Sequence, residues 1–351
     1  MDFALNDEQA MIAETARQFF ADNATSERVR RAMAADGFDR ETWRSFCQEL
    51  GLGGLLTPEK FGGSGLGMVE FATVAEAAGA QVAAIPLLGQ AMVSSAIVAG
   101  GTDDQRSEWL GRIASGETLA AFAESAALKC DGDRLTGRID FVAHGNVADL
   151  FLIAGSTGAW LVEAKAEGVS VDTPTTMDQT RPLATVTLDQ AAAIPFADGA
   201  AALAAAQTSG WICLAAEALG GAQECLDRTV AYAKERVQFG RAIGSFQAYK
   251  HRLADMMVEI EQTRSAVYWA ACAVDEQSDD PALALHAAKS FAADTYFKCA
   301  ADMIQLHGGI GFTWEHDAHL FFKRARSIQT LLHGGNWHRE QVAAMILGDA
   351  A

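Results

Sequence analysis

Two long segments of helical periodicity, joined by a break that contains glycine, constrain the fold of this chain most. Apolar positions recur at helical spacing through Leu214 and Val230, stop at Gly240, and resume through Met256. The break, Arg236 to Lys250, reads RVQFGRAIGSFQAYK. It predicts a short turn between two helices that carries arginine, glutamine and aromatic side chains, which suits a ligand with phosphates and a flat ring. An ordinary helix–helix corner with a solvated arginine is the alternative.

The first third of the chain has the periodicity and the caps of helices. Asn6 can cap a helix, and Gln9 three residues later completes a capping box. Asp39 is a plausible cap for a second helix, which Gly51 would end. A Gly-rich segment to Gly67 reads as a loop, and helical spacing then returns.

The middle of the chain changes to short runs rich in Val, Thr, Ile and Phe, which predict strands at residues 135–143, 149–155, 158–164, 168–172 and 183–191. Strands at such close intervals favour a small antiparallel barrel or sandwich. After Pro195 the periodicity is helical again, which predicts a bundle of long helices. The predicted fold is therefore α+β but mainly α, with a helical domain at 1–115, a β-domain at 116–198 and a helical bundle at 199–351.

Charge and cysteine spacing exclude several classes of protein. The formal net charge of -18 argues against nucleic acid or an anionic membrane as the main partner. A local cluster of arginines could still bind an anionic substrate. The six cysteines form no C-x-x-C pair, so no metal site is expected and the thiols are predicted to be buried. The acidic N-terminus and the absence of an apolar run of roughly 18 residues predict a cytoplasmic protein.

Three stretches resemble signatures of the acyl-CoA dehydrogenase family. RVQFGRAIGSFQAYK is similar to its R-x-x-F-G block followed by a helix that opens with F-Q. QLHGGIGFTWEHDAHLFFKRA, at 305–325, resembles the Q-x-x-G-G-x-G block, and LGLGGLLTPEKFGGSGLG, at 50–67, resembles an N-terminal glycine-rich block. The three blocks keep the family's order over nearly the whole chain. The resemblance implies the family's fold: an N-terminal helical domain, a middle β-domain and a C-terminal four-helix bundle.

The resemblance also implies FAD and an acyl-CoA substrate. In the family a carboxylate removes the α-proton of the acyl thioester while the β-hydrogen leaves as hydride to the flavin. Arg236 matches the arginine that reaches the flavin pyrophosphate of a neighbouring subunit, so an oligomer is implied. For the glycines at 308–311 a simple helix–helix turn is the alternative. The implied cofactor contacts are Arg236, Gln238, Phe239, Gln247, Gln305, Gly308 and Gly309.

The chain departs from the family pattern on the flavin side of the β-domain and at the catalytic base. The family's T-E-P-x-x-G-S stretch corresponds to AFAESAAL at 121–128, and Phe141 replaces a tryptophan. His333 occupies the position of the usual catalytic glutamate, and Gly210 or a near neighbour matches the alternative position. Neither family position therefore holds a carboxylate.

Two residues are candidates for the catalytic base. Glu217 lies on the same helix as Gly210, about two turns further on, and its alternative role is a structural carboxylate paired with an arginine. His333 could act as a base because imidazole titrates near neutral pH; its alternative is a polar lining of an inactive cleft. Arg324 and the acidic residues before it are expected to be solvated or ion-paired at a helix start.

Two functions follow from the resemblance. In one, the chain is a flavoenzyme that dehydrogenates an acyl-CoA with a displaced base, as a homo-oligomer. In the other, which the departures favour, it is the shorter, degenerate subunit of a heteromer such as a heterotetramer, and it completes the FAD site of a larger catalytic chain. Such heteromers act on steroid and other bulky CoA esters or on fatty acids. A flavin monooxygenase or oxidase on the same fold is a third alternative.

Overall fold

The computed structural model describes residues 5–278 and 281–348, and within them the chain is mainly helical. The helices lie before and after a central region of strands. In chain order the helices are α1 (Asp7–Asn23), α2 (Ser26–Ala34), α3 (Arg40–Arg44), α4 (Met68–Ala80), α5 (Leu87–Gly100), α6 (Asp103–Ala114), α7 (Gly199–Glu235), α8 (Gln247–Asp275), α9 (Pro281–His307), α10 (Ala318–Thr330) and α11 (Gly335–Leu347).

The strands form two four-stranded sheets and one small hairpin. The first sheet has the order β1-β4-β5-β8, the second has the order β2-β3-β7-β6, and β9 pairs with β10. The β1–β4 pair is parallel, and the other pairs are antiparallel. In chain order the strands are β1 (Ala120–Glu124), β2 (Lys129–Asp131), β3 (Arg134–Ala143), β4 (Leu150–Gly155), β5 (Gly158–Glu163), β6 (Val169–Asp172), β7 (Leu183–Ala192), β8 (Ile194–Pro195), β9 (Val237–Gln238) and β10 (Arg241–Ala242).

The predicted fold class is confirmed: N-terminal helices, a middle β-region and C-terminal helices. Each of the five predicted strands is present, whereas β1, β2, β8, β9 and β10 were not predicted. In the part of the chain that the structure describes, neither sheet closes into a barrel. The parallel β1–β4 pair is the departure from a purely antiparallel arrangement. Two strands can pair in parallel only when a long connection joins them. The alternation of apolar and polar residues within a strand does not indicate whether its partner is parallel or antiparallel.

The N-terminal caps are those that the sequence predicts. The Asn6 side chain accepts from the Gln9 N–H at 2.9 Å, and the Gln9 side chain accepts from the Asn6 N–H at 3.0 Å. Asp39 accepts from the Thr42 N–H at the start of α3. The helix then continues as a π-helical turn over Ser45–Glu49 before Gly51, with φ of 70°, ends it.

Contacts divide the chain into two compact units that interleave along the sequence. The first unit contains the described residues of Met1–Ser26, Met68–Ala83 and Trp211–Ala351, and the second contains Glu27–Gly67 and Ala84–Gly210. The first unit therefore combines α1 and α4 with the C-terminal helices. The three-segment division at 1–115, 116–198 and 199–351 stays a prediction about the order of elements along the chain.

Helix α7 is the central element of the first unit. At 37 residues it is long and apolar enough to cross a membrane by length and composition alone, but 56% of its most apolar window is buried inside the chain. Its apolar residues thus serve packing. Helices α4 and α7 approach closely at two glycines: a Cβ on Gly220 would overlap the Glu76 carbonyl oxygen, and one on Gly79 would overlap that of Glu217.

The second unit buries one apolar layer between its sheets. Alternating strand residues such as Leu135, Ile139, Phe151, Ile153 and Val186 are at most 1% exposed. Five cysteines are buried, as predicted, and the sixth, Cys130, is exposed. Burial raises the pKa of the Cys47 thiol well above its usual range, so that side chain acts as a small apolar group.

The stability of α4 depends on a carboxylate from another helix. Asp275, the last residue of α8, accepts the Met68 N–H at 2.7 Å and the Val69 N–H at 3.0 Å. We expect Asp275→Ala to lower the free energy of unfolding by about 1–2 kcal/mol, because two first-turn N–H groups lose their acceptor. The control is Asp255→Ala, at an exposed position of α8. Equal urea midpoints for the two variants would contradict this assignment.

Candidate functional site

The Arg236 segment forms a tight hairpin directly after α7. Gln238 pairs with Arg241 across two short strands. The two residues between them, Phe239 with φ of 53° and Gly240 with φ of 79°, both have left-handed backbone, as a type I′ turn requires. Glycine adopts this conformation without strain, whereas for phenylalanine it is unfavourable.

This hairpin presents a cation and aromatic rings to solvent. The Phe239 side chain is 92% exposed, and its ring lies edge-on to Phe246 with a centroid separation of 6.2 Å. The Arg241 guanidinium lies 4.0 Å from the centre of the Phe246 ring. Arg236 is exposed and forms no ion pair with any residue that the structure describes. Gln247 is exposed as the first residue of α8, where Phe246 supplies no side-chain cap.

The second predicted block forms an open turn at the end of α9. Gln305 is exposed on the last turn of the helix. Gly308 has φ of 65°, and a Cβ on Gly308 or Gly309 would meet no atom within 4 Å. The 3-10 turn Gly308–Phe312 ends with Phe312, which is 86% exposed. The backbone here is therefore accessible to a ligand that must approach closely.

Two contacts bring these sequence-remote turns to the same end of the helices in the first unit. The Tyr232 ring of α7 stacks on His307 of α9 with a centroid separation of 4.5 Å. The Tyr249 hydroxyl of α8 donates to the Leu306 carbonyl at 2.8 Å. Burial raises the pKa of Tyr249 to about 12, so this hydroxyl keeps its proton at neutral pH. All seven predicted cofactor contacts lie on the segments that these bonds connect.

The exposed groups at this end of the helices are of the kinds that bind a nucleotide. An arginine without an ion-pair partner and the uncapped N–H groups at the start of α8 both favour an anion. Exposed aromatic rings can stack on a planar ring. Among the residues that the structure describes, no group of three or more His, Cys, Asp or Glu side chains could hold a metal ion.

Glu217 is buried beside an arginine. Glu217 is 2% exposed, and its Oε1 lies 3.8 Å from Nη1 of Arg324, which is 1% exposed. Arg324 also donates through Nη2 to the Ala83 carbonyl at 3.3 Å. This geometry agrees with the structural alternative for Glu217, a carboxylate paired with arginine, and Arg324 is ion-paired but buried. The role of Glu217 as a base stays a prediction.

His333 lies in an unusual turn between α10 and α11. Its φ is 72° and that of Leu332 is 51°, so two consecutive residues other than glycine adopt left-handed backbone. The His333 imidazole is exposed and stacks on Trp337 with a centroid separation of 4.1 Å. The other matched position, Gly210, is buried in α7.

A buried aromatic cluster around His333 was missed by sequence reasoning. Nδ1 of His286 lies 2.8 Å from Nδ1 of His338, which has no exposed surface. Trp211 and Trp337 pack against both imidazoles. The four residues come from α7, α9 and α11, and no spacing within one helix would indicate that they meet.

The stretch of the second unit that departs from the family pattern is short and only partly exposed. Glu124 ends β1 and is exposed, and Ser125 donates its backbone N–H to the Ala154 carbonyl. Phe141 lies where the β3–β7 register shifts, with φ of 65° and 72% of its side chain exposed. This bulge directs an aromatic ring to solvent from a strand that buries Leu135, Ile139 and Val142.

Comparisons with known proteins identify the family. The acyl-CoA dehydrogenase N-terminal domain matches residues 6–117, and the acyl-CoA dehydrogenase C-terminal domain matches residues 197–347. Acyl-CoA dehydrogenase IpdE2 of Mycobacterium tuberculosis is 37% identical over 93% of each chain. Acyl-CoA dehydrogenase FadE34 of the same organism is 33% identical over 97% of this chain and 48% of its own length.

Solved structures agree with this assignment. The steroid acyl-CoA dehydrogenase Tcur3481-Tcur3483, in a variant form, matches with a TM-score of 0.88 and 31% identity, over 98% of this chain and 99% of that one. The ChsE4-ChsE5 complex from Mycobacterium tuberculosis matches with a TM-score of 0.90 and 27% identity over all of both chains. The chain belongs to the acyl-CoA dehydrogenase family, whose members are FAD-dependent oxidoreductases of CH–CH bonds.

The two units fit FAD to different degrees. In the first unit, the open backbone at Gly308 and Gly309 and the exposed Arg236 suit the phosphates of a dinucleotide. In the second unit, the β1 stretch offers Ser125, whose hydroxyl accepts the Ala127 N–H, and the exposed Phe141 ring. The groups that suit phosphates are thus exposed in the first unit, and the β1 stretch of the second unit offers few polar groups.

The Glu217–Arg324 pair allows the structural and catalytic roles of Glu217 to be separated. Removing one partner of a buried ion pair leaves the other charge uncompensated, so we expect Glu217→Leu to destabilise the chain by about 3–5 kcal/mol. We expect Glu217→Leu combined with Arg324→Met to recover most of that loss. Urea unfolding of the two single variants and the double variant measures the coupling. If the losses of stability in the two single variants simply add in the double variant, Glu217 and Arg324 do not form a structural ion pair.

The His286–His338 pair predicts a pH dependence of stability. Burial lowers the pKa of His338 to about 3, with a contribution from the Lys289 ammonium, and burial also lowers that of His286. The unfolded chain then binds more protons than the folded chain below about pH 6.5, so stability is full above that pH and falls as the pH drops. At about pH 5 the loss from His338 is about 2 kcal/mol.

The measurement compares urea unfolding at about pH 7.5 and pH 5 for the unmodified chain and for His338→Phe. The variant should lose less stability on acidification than the unmodified chain. His251→Phe, at an exposed position of α8, is the matched control and should leave the pH dependence unchanged. Identical pH dependence in the unmodified chain and His338→Phe would show that His338 is not held neutral by burial.

Proposed function

We propose that this chain is a subunit of a heteromeric FAD-dependent acyl-CoA dehydrogenase. Its hairpin at Arg236 and its open turn at Gly308 would contact FAD that a larger partner chain of the same family holds. The observation that carries the proposal is the exposed apolar surface around these turns. Phe239 and Phe312 are 92% and 86% exposed, and Trp314 is 64% exposed. Exposed aromatic side chains grouped around a ligand-contact motif favour an interface with another chain.

The chain's departures from the family pattern support a heteromer in which the two chains supply different parts of the site. Its β1 stretch and Phe141 provide few polar contacts for a flavin ring. Of the two residues considered as a base, Glu217 is buried beside Arg324 and His333 is not a carboxylate. A partner with a complete flavin-ring site would supply what this chain lacks, and this chain would supply Arg236, Gln238, Phe239, Gln247, Gln305, Gly308 and Gly309.

The similar proteins also support a heteromer of two different chains. The ChsE4-ChsE5 structure is a complex of two named chains, and Tcur3481-Tcur3483 is a steroid acyl-CoA dehydrogenase with a two-part name. FadE34 is about twice as long as the region that matches this chain. We infer that the substrate is an acyl-CoA thioester, with a steroid-derived acyl group as the first class to test. The six free cysteines favour a reducing, cytoplasmic location.

The chain's own residues have defined roles in this proposal. FAD, when bound, supplies the acceptor for the hydride that leaves the β-carbon of the substrate. Arg236 offsets the charge of the FAD phosphates, and the glycines at 308 and 309 admit those phosphates close to the backbone. Phe239 and Phe312 exclude water at the interface by packing against the partner chain. No observation in the described residues favours a monooxygenase or an oxidase.

Variants at Arg236 and Phe239 test the proposal. In the assembled protein, Arg236→Ala should weaken FAD retention by at least tenfold, because a charge-assisted phosphate contact contributes about 1.5–3 kcal/mol. Phe239→Ser should weaken assembly and leave the unfolding free energy of the isolated chain unchanged within about 0.5 kcal/mol.

FAD absorbance after dialysis and solution mass report these two effects separately. Arg17→Ala is the matched control, because Arg17 is 64% exposed in the same unit and pairs with Glu14 on the surface of α1. The control should retain both FAD and the assembled mass. Unchanged FAD occupancy in Arg236→Ala, or unchanged assembly in Phe239→Ser, would remove the corresponding contact from the proposal.

A further inference from the structure

The glycine turn at the end of α9 lies between two histidines whose rings contact each other. His307 is the last residue of α9, and His316 lies between the Gly308–Phe312 turn and the start of α10. The two imidazoles have a centroid separation of 4.4 Å and an angle of 48° between their planes. Because this ring contact joins the residues before and after the turn, it closes the segment that the proposed function assigns to the FAD phosphates.

Helix α7 holds both ends of this closed segment. The Tyr232 ring stacks on His307 with a centroid separation of 4.5 Å and an angle of 22° between the rings. One helical turn earlier on α7, Nη1 of Arg228 donates at 3.1 Å to a carboxylate oxygen of Asp317, at the other end of the segment. The Ser26 hydroxyl donates to the second carboxylate oxygen of Asp317 at 2.7 Å. The position of the turn is therefore set on both sides.

The hydrogen bonds around the two rings determine which nitrogen of each ring carries a proton. Nδ1 of His307 lies 2.8 Å from the Met303 carbonyl oxygen, which can only accept, so this nitrogen is protonated. Nδ1 of His316 lies 3.1 Å from the Ala318 nitrogen, whose N–H can only donate, so Nδ1 of His316 carries no proton. Asp317 provides no side-chain cap for α10. The neutral imidazole of His316 is therefore a side-chain acceptor at the start of α10.

A proton on Nδ1 of His316 would remove this acceptor. Both nitrogens of an imidazolium carry hydrogen, so Nδ1 would face the Ala318 N–H as a second donor and the bond could not form. A charge on the other ring is unfavourable as well, because His307 is 3% exposed and its centroid lies 4.4 Å from that of His316. The closed segment therefore favours neutral imidazoles at both positions.

Titratable groups from two helices and from the segment itself surround the pair. They are Arg228, Glu224 and Tyr232 of α7, Tyr249 of α8, and Asp317. Burial lowers the pKa of His307 most, its backbone hydrogen bond acts in the opposite direction, and His316 and Arg228 lower the pKa further. The two carboxylates pair with Arg228 and partly offset its charge. Burial raises the pKa of Tyr249 to about 12, so that hydroxyl stays neutral.

We propose that His307 and His316 are positioning residues for the glycine turn, and that the turn keeps its closed geometry only while both imidazoles are neutral. A proton on His316 breaks its bond with the Ala318 N–H, and charges on both rings drive them apart, so the segment Gly308–Phe312 is released. The released segment binds more protons than the closed one. The closed form is therefore fully populated above the ordinary imidazole pKa of about 6.5 and is lost as the pH falls below it. The inference rests on the proposed function only for its consequence, which is weaker FAD retention at acidic pH.

Hydrogen–deuterium exchange of the chain alone tests the positioning role without FAD or a partner. The reporters are the N–H groups of Thr313 and Ala318, which are both hydrogen-bonded in the closed segment. Between about pH 7.5 and about pH 5.5, after correction for the intrinsic pH dependence of exchange, their protection should fall by about tenfold, the effect of one imidazole held neutral about one pH unit below its ordinary pKa. Unchanged protection in the unmodified chain would overturn the proposal.

His316→Asn separates the pH effect from a merely structural role. Oδ1 of asparagine replaces Nδ1 as an acceptor for the Ala318 N–H and does not titrate, so protection should stay high at both pH values. His316→Ala removes the acceptor, so protection should be low at both. His251→Asn, at an exposed position of α8, is the matched control and should respond to pH as the unmodified chain does. The same loss of protection in His316→Asn as in the unmodified chain would assign the pH dependence to another group and overturn the proposal.

His307→Phe tests the contribution of the second ring. The phenyl ring keeps the contacts with Tyr232 and His316 and cannot take up a proton, so the loss of protection on acidification should be smaller than in the unmodified chain. A loss equal to that of the unmodified chain would remove His307 from the proposal.

FAD retention in the assembled protein tests the consequence for the cofactor. We expect FAD absorbance after dialysis to be lower at about pH 5.5 than at about pH 7.5 in the unmodified protein and in His251→Asn, and equal at both in His316→Asn. If the exchange results hold and FAD retention does not follow them, the turn does not hold FAD and the proposed function fails. If the exchange results fail, the positioning role fails whatever the FAD content, so the two failures are distinguishable.

Discussion

The candidate site depends on the contact between the ends of α7, α8 and α9. The Arg236 hairpin and the Gly308 turn are about 70 residues apart in sequence, and each is exposed to solvent. The Tyr232–His307 stack and the Tyr249 bond to the Leu306 carbonyl fix both turns to one end of the helices. Ring stacking and a partly buried hydroxyl donor therefore set the relative positions of the two turns, which the proposal assigns to one nucleotide.

This arrangement also explains why the chain can retain a family's ligand-contact surface while other parts of the site change. The two turns are fixed from within the first unit by Tyr232, His307 and Tyr249. Substitutions in the β1 stretch or at the base position leave these supports untouched. In the proposed heteromer the chain would thus supply phosphate contacts and an interface without a carboxylate base of its own. Glu217 and Arg324 pair inside the first unit, where an unpaired buried charge would be costly.

The sequence predicts local features well and long-range contacts poorly. The Asn6–Gln9 capping box and the five strands follow from short-range chemistry, and both are present. The Phe239–Gly240 hairpin was predicted only as a short turn between two helices, because phenylalanine is an unusual choice for a left-handed turn position. The parallel β1–β4 pair and the partner of Glu217 were beyond sequence reasoning, since each depends on which distant segments meet. The histidine–tryptophan cluster around His333 was missed for the same reason.

The central claim is that this chain completes a FAD site shared with a second chain. The most direct test is the visible absorption spectrum and the solution mass of the chain purified alone and after co-expression with a second acyl-CoA dehydrogenase-family chain from the same source. We expect a colourless protein alone, and a yellow heteromer that bleaches on addition of an acyl-CoA when the partner is present. A yellow homo-oligomer of this chain alone that bleaches with acyl-CoA would contradict it.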